Sequence, residues 1–269
     1  MSDKQSIIFY VHIQKTCGTS IYQIVKQHPD VVIWRRRQQS GDRPRFVTGH
    51  FPYSIHTDWG VSTSYEYATF LRDPLDRWKS MFYHGLAKQH SVFHNMLQAA
   101  NDTTLSLEYQ TLTYDHITRF LKWCISSESN WNIMCKQLSG MENLRNIRRW
   151  YTAGISDQDF GFAQVYAWSG RHLRTSHYDM SLMMSQAFHN LRHHFSFVGL
   201  QSQGDDDQFR FCNKFDFDWP KDAPYHATAS PRFKEEEWFS GHNLKLLTRL
   251  NEFDINLYKS YLEHVKEKP

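Results

Sequence analysis

Three short segments combine residue types that act on phosphate and on protons. The first, Lys15-Thr16-Cys17-Gly18-Thr19-Ser20, places one cation, one glycine and three hydroxyl side chains in a row. A strand-to-helix turn of this composition offers backbone N–H groups and the positive end of a helix dipole to an anion, with Lys15 as a point charge. The second, Gly49-His50, carries the side chain whose ordinary pKa lies nearest neutrality and which therefore suits general-base work. The third, Arg72-Asp73-Pro74, supplies a planar guanidinium fork that fits bidentate phosphate binding. Plainer readings exist for two of them: a solvated Lys15, and an Arg72-Asp73 ion pair at a helix start. The first segment is not a Walker A loop, because that motif needs its lysine after the second glycine and here Lys15 precedes the only one.

The elements that must hold these segments are legible in the hydrophobic pattern. Residues 7–13 form a compact β-branched and aromatic run that predicts a buried strand, followed by the loop and a helix over about 20–27. His28-Pro29-Asp30 ends that helix and 31–34 reads as a second strand. A third covers 46–48 and ends at Gly49-His50; a fourth covers 67–71 and ends at Arg72. Pro74 suits a first helical turn capped by Asp73, predicting a helix over 75–88. Helical patterns follow at 117–125, 141–151 and 181–195, a further strand at 195–200, and a long amphipathic closing helix over 244–265. Strand, helix and strand in alternation predict an α/β domain with a parallel sheet and helical insertions, in which ligands sit at the carboxyl ends of the strands. No repeat or linker divides the chain, so 1–269 reads as one domain. Asp205-Asp206-Asp207, after Gln203-Gly204, reads as a solvated loop with no ligand.

Taken together, the segments resemble the cofactor-binding signature of sulfotransferases, especially the heparan sulfate 2-O- and 6-O-sulfotransferase type. His12-Ile13-Gln14-Lys15-Thr16-Cys17-Gly18-Thr19-Ser20 is similar to the family's His-Ile-Pro-Lys-Thr-Gly-Gly-Thr-Ser loop, and Arg72-Asp73-Pro74-Leu75-Asp76-Arg77-Trp78-Lys79-Ser80 to its Arg-Asp-Pro-x-x-Arg-x-x-Ser element. Gln14 and Cys17 depart from the pattern, and a side chain at 17 narrows the loop's backbone options, since only glycine takes φ > 0 freely. The resemblance extends to 132–140, to Phe197-Val198-Gly199-Leu200 and to the closing segment from Asn251 to Tyr258. It implies a three-layer, P-loop-NTPase-like fold that binds 3′-phosphoadenosine 5′-phosphosulfate (PAPS) as co-substrate. Lys15, Thr16, Cys17, Gly18, Thr19 and Ser20 would hold the 5′-phosphosulfate end, and Arg72 and Ser80 the 3′-phosphate. His50 would be the base and Lys15 would stabilise the leaving phosphate. Ser230 and Arg232, in Ala227-Thr228-Ala229-Ser230-Pro231-Arg232-Phe233, resemble a late cofactor-closing loop, although a polar turn explains them equally. His56, Asp58 and Trp59 are expected in the acceptor pocket, with His56 and Asp58 ranked behind His50 as base; His12 reads as a packed strand residue. No metal is required by this scheme.

Composition narrows the acceptor. The 269 residues carry 31 Lys and Arg against 28 Asp and Glu, a net charge of +3. That balance is too weak to argue for nucleic acid, and no apolar run reaches membrane length. The 4 cysteines are irregularly spaced and predict no disulfide framework, which points to a reducing, cytoplasmic setting. The 16 histidines fall into no zinc-binding spacing. A small-molecule or glycoside acceptor is therefore expected over a sulfated polysaccharide, with Arg35-Arg36-Arg37, Arg43 and Arg45 keeping an anionic acceptor open. Two alternatives stand beside sulfuryl transfer: a nucleotide kinase on a related α/β scaffold, and a non-catalytic module that binds a bisphosphorylated nucleotide.

Overall fold

The computed structural model describes residues 6–28, 30–33, 44–57, 60–61, 64–87, 114–126, 131–140, 177–219 and 239–267. Five strands, β1 (Ile7–Val11), β2 (Val31–Ile33), β3 (Phe46–Gly49), β4 (Tyr65–Leu71) and β5 (Phe195–Leu200), form a single sheet in the order β2-β3-β1-β4-β5, with every pairing parallel. The order matches neither the 3-2-1-4-5-6 nor the 2-1-3-4-5 doubly wound arrangement. The helices are α1 (Gly18–Val25), α2 (Pro74–Ala87), α3 (Tyr114–Ser126), α4 (Ile133–Ser139), α5 (His177–His193), α6 (Asp205–Phe215), α7 (Gly241–Leu250) and α8 (Glu252–Lys266).

The central strand explains why the sheet is covered on both sides. All five residues of β1 are buried, so its side chains must be matched by apolar partners above and below. Ile7, Phe9 and Val11 join a core with Ile133 and Leu138 of α4, Met183 and Leu191 of α5, and Leu257 and Tyr261 of α8. Ile8 and Tyr10 point the other way, into a core with Ile21 and Ile24 of α1 and Phe211 and Phe215 of α6. A third cluster joins α2, α3 and α7 through Trp78, Phe82, Phe120 and Leu247. The chain thus has an α/β fold in which helices flank an all-parallel sheet.

Several expectations are corrected. The closing helix is two helices, broken at Asn251. This residue is wholly buried at φ −123°, and its Nδ2 donates to the Leu247 carbonyl (2.9 Å), competing with the helical ladder there. Asp205-Asp206-Asp207 is not a loop but the first turn of α6, where the helix dipole favours carboxylates. Asp207 is 2% exposed and accepts from the Leu200 backbone N–H (2.6 Å) and from Arg210 (2.6 Å), tying the end of β5 to α6. Arg45 is engaged structurally: its Nη2 donates to the carbonyls of Phe215 (2.5 Å) and Asp216 (3.0 Å), closing the C-terminal end of α6. Arg35, Arg36, Arg37, Arg43 and the helix expected over 141–151 lie outside the described residues.

Candidate active site

The loop after β1 is framed by the ends of its two neighbours, because Val11 is in register with Gly49 on one side and Thr69 on the other. Beyond β1 the chain runs through α1 to β2, on the β3 side of the sheet. Beyond β4 the next strand among the described residues is β5, on the opposite side. Neighbouring strands whose outgoing chains diverge leave a crevice at their carboxyl ends, the usual ligand position in open α/β sheets. Lys15 and Arg72 flank that crevice, and His50 stands one strand away.

The loop is held by its own side chains and by a tyrosine below it. Thr16 is wholly buried, its Oγ1 donating to the Ile13 carbonyl (2.7 Å), while the Tyr10 hydroxyl donates to the Thr16 carbonyl (3.4 Å). The Thr16 hydroxyl hydrogen thus braces the turn from inside, a different task from the ligand contact expected of it. Lys15 (φ 65°) and Cys17 (φ 60°, ψ 3°) both occupy the left-handed region, which costs a side-chain-bearing residue about 1–2 kcal/mol. Cys17 therefore adopts a conformation that glycine takes freely and other residues rarely do. Its carbonyl receives the Ile21 N–H (3.0 Å), opening α1, so Gly18, Thr19 and Ser20 form the first turn. Thr19 is exposed and Ser20 half-buried. Burial pushes the Cys17 thiol up to about 12; the charge of Arg72 opposes that shift, and Asp207 and Asp205 add to it.

His50 is oriented by backbone. Its Nδ1 lies 2.6 Å from the carbonyl oxygen of His12, whose own N–H donates to the Gly49 carbonyl (2.9 Å). A carbonyl can only accept, so Nδ1 carries the hydrogen, and in the neutral ring Nε2 keeps its lone pair. The His12 and His50 rings stack at 4.3 Å between centroids and 28° between planes. His12 lies half-buried just beyond β1 rather than inside the strand as expected, and is packed against the residue expected to act as base.

On the far side of the loop, Arg72 Nη1 donates to the Lys15 carbonyl (3.2 Å). Asp73 Oδ1 accepts from the N–H groups of Leu75 (2.9 Å) and Asp76 (3.1 Å), the helix cap that Pro74 and Asp73 predict. Ser80 is half-buried on α2. Arg77, from the same segment, is wholly buried, and burial pulls its pKa down to about 10 while the charge of Asp254 opposes the shift. Asp254 in turn accepts from the N–H groups of Met134 (3.0 Å) and Cys135 (2.8 Å), while its own N–H donates to Asn132 Oδ1 (3.0 Å). Asp254 therefore ties α8 to the start of α4.

Two residues near Arg72 escaped the sequence reading. The Tyr258 hydroxyl of α8 hydrogen-bonds the side chain of Ser202, just beyond β5, and Tyr258 feels the charges of Asp73, Asp76 and Arg72. Ser202 follows a predicted strand end, so the rule that placed the other three segments also reaches it; Tyr258 required the fold.

His56 is placed elsewhere. Its ring stacks on Tyr65 (4.0 Å, 18°), and Tyr67 OH contacts both its Nδ1 (2.8 Å) and its backbone N–H (3.2 Å). Tyr65 is in register with Ile7, the opening residue of β1, four residues or about 13 Å of strand below the level of Val11. Burial lowers the pKa of His56. Asp58, Trp59, Ser230 and Arg232 lie outside the described residues.

No protein-family model matches the chain, and no curated protein matches it. Among the described residues no group of three or more His, Cys, Asp or Glu is placed to hold a metal ion, and no helix is long and apolar enough to cross a membrane.

Proposed function

We propose that the protein is a PAPS-dependent sulfotransferase, a single catalytic domain of P-loop-NTPase-like fold that moves a sulfuryl group to a hydroxyl of a small molecule or glycoside. The observation that carries this reading is the tether on His50. Its Nδ1–H is held by the carbonyl of His12, three residues before Lys15, so in the neutral ring Nε2 is the nitrogen that takes a proton. His50 takes the proton of the acceptor hydroxyl; that oxygen attacks sulfur, the bond from sulfur to the 5′-phosphate oxygen breaks, and the electron pair stays on the phosphate. Lys15 and the N–H groups at the start of α1 stabilise the charge that develops there. Arg72, next to the Lys15 carbonyl, holds the 3′-phosphate, with Ser80 further along α2. No step in this scheme calls for a metal ion.

The net charge of +3 and the engagement of Arg45 at the end of α6 support a weakly charged acceptor. The cysteines, all free thiols, suit a reducing compartment, so the cytoplasm belongs to the same proposal.

The test is sulfate transfer from labelled PAPS to a panel of alcohols and glycosides, with and without EDTA, by wild type and His50→Ala. The expected result is EDTA-insensitive transfer that falls on the order of 100-fold or more in His50→Ala. Undiminished turnover in that variant removes the base, and complete loss with EDTA overturns the metal-free scheme. Tight binding of 3′-phosphoadenosine 5′-phosphate without transfer to any acceptor favours the non-catalytic module.

A further inference from the structure

We infer that the imidazole of His12 is a positioning residue that clamps His50 against the phosphate loop. The inference rests on His50 being the base and extends that reading to a residue whose expected role is packing alone.

Four contacts meet at His12. Its ring stacks on His50 at 4.3 Å and nearly parallel, and its carbonyl accepts the His50 Nδ1–H. Behind it lies Tyr10, with ring centroids 6.1 Å apart and 30° between planes. Beneath it lies Gly18, the first residue of α1: a Cβ built there would stand 1.7 Å from His12 Nε2 and 2.0 Å from Cδ2. The ring therefore occupies the space that any side chain at position 18 would need. It rests at once on the helix start that receives the anion and on the flat face of the base.

The arrangement divides two tasks on one residue. The backbone carbonyl accepts the Nδ1–H of His50, and the ring holds the rotamer in which that hydrogen bond, and with it the single tautomer, can form. A histidine at a strand end is free to turn about χ1 and χ2, and a hydrogen bond to one carbonyl leaves swing about that contact. A second ring pressed on its face removes the swing, so that Nε2 keeps one direction relative to the loop. Misaiming a reacting group by about 1 Å is enough to lower turnover on the order of 100-fold. The ring, unlike the carbonyl, can be removed by mutation.

Three proteins are compared: wild type, His12→Ala, and His12→Phe, which keeps a flat ring and lacks the nitrogens. Nitrogen-15 NMR reads the tautomer of His50, titration with 3′-phosphoadenosine 5′-phosphate reads the loop, and sulfate transfer reads kcat and KM separately. Wild type is expected to show His50 as a single Nδ1–H tautomer. In His12→Ala that signature gives way to a mixture and kcat falls at least 10-fold, while bisphosphate affinity stays within about threefold of wild type. His12→Phe is expected to restore both the tautomer and most of kcat. A single Nδ1–H tautomer with wild-type kcat in His12→Ala overturns the inference, as does a His12→Phe protein that behaves like His12→Ala. If His12→Ala does not fold, His12→Gln, which fills the volume without a ring face, takes its place with the same expectations. Failure of the underlying reading looks different: His50→Ala then keeps full turnover whatever the tautomer signal of the His12 variants.

Discussion

Arg72 donates a hydrogen bond from Nη1 to the main-chain carbonyl of Lys15, joining the end of β4 to the loop after β1 across 57 residues of sequence. The arginine therefore shapes the loop as well as carrying charge towards it. The two functions separate experimentally, because a guanidinium presents several N–H groups in a fixed fork and an ammonium does not.

Arg72→Lys accordingly fails to substitute for Arg72. A single ammonium cannot hold the Lys15 carbonyl and grip a phosphate bidentately. Calorimetric titration with 3′-phosphoadenosine 5′-phosphate is expected to show Arg72→Ala binding about 10- to 100-fold more weakly, the range for a lost hydrogen bond to a charged group, with Arg72→Lys recovering little of it. Wild-type affinity in Arg72→Ala would sink the 3′-phosphate assignment.

Adjacent positions 17 and 18 respond oppositely to a change in side-chain size. Cys17→Gly relieves a left-handed residue and raises stability by about 0.5 kcal/mol once the extra freedom of glycine in the unfolded chain is subtracted. Gly18→Ala drives a Cβ into the stacked ring of His12 and lowers stability by about 1–3 kcal/mol, as overpacking does elsewhere. Urea denaturation of both variants checks the contrast, and equal midpoints contradict it.

The Cys17 thiol is unreactive despite standing at a helix start. Burial holds its pKa at about 12, so at pH 8 the thiolate is on the order of a thousandfold scarcer than for an ordinary cysteine. Alkylation by iodoacetamide at that pH, followed by peptide mass analysis, is expected to leave Cys17 largely unmodified over times that fully label an unfolded control.

His56 makes stability depend on pH. The Tyr67 hydroxyl accepts the His56 backbone N–H and donates to Nδ1, an arrangement that needs a neutral ring. The folded-state pKa is lowered by burial below the unfolded value of 6.5. The unfolded chain therefore binds the proton more readily, so the stability supplied by neutral His56 is fully present above about pH 6.5 and drains away as pH falls towards the folded pKa. His56→Phe keeps the stack on Tyr65 without titrating. Its unfolding free energy should decline less than wild type between pH 7 and 5, and parallel curves would assign the acid sensitivity elsewhere.

Asp254 titrates in the reverse sense. Burial raises its pKa, although Arg77 and the Cys135 and Met134 N–H groups oppose the shift. The folded state then holds the carboxyl proton more tightly, and ionisation subtracts stability as pH rises through the folded value. Asp254→Ala removes two backbone caps of α4 and a buried charge that offsets that of Arg77, and is expected to destabilise by about 3–5 kcal/mol at neutral pH. Asp254→Asn keeps one acceptor oxygen and should show a flatter stability curve than wild type above pH 4, measured by urea titration at each pH.

How much of this could be read from the chain depends on the range of each interaction. The five strands were visible because buried parallel strands are continuous apolar runs, and the Asp73 cap because it acts within three residues. The placement of Lys15, His50 and Arg72 followed from knowing that strand ends converge. The stack of His12 on His50 was not visible, because it joins residues 38 apart whose side-chain directions depend on the end of a strand. Asp207 misled as part of a charge run, since its burial is decided by the N–H of Leu200 rather than by its neighbours. The break at Asn251 was hidden inside a helical period that continues correctly on both sides, and the cap that Asp254 gives α4 spans 119 residues at Cys135.

The register between β1 and β4 has a consequence for tolerance to change. Val11 faces Thr69 across a ladder also fastened by the Thr69 hydroxyl on the Val11 carbonyl (2.9 Å). The spacing of Lys15 and Arg72 is therefore dictated by a hydrogen-bonded ruler rather than by the chain that connects them. Insertions or deletions between His50 and β4 should leave that gauge unaltered, so descendants of this sequence could vary the connecting segment without recalibrating the distance between the two anchors.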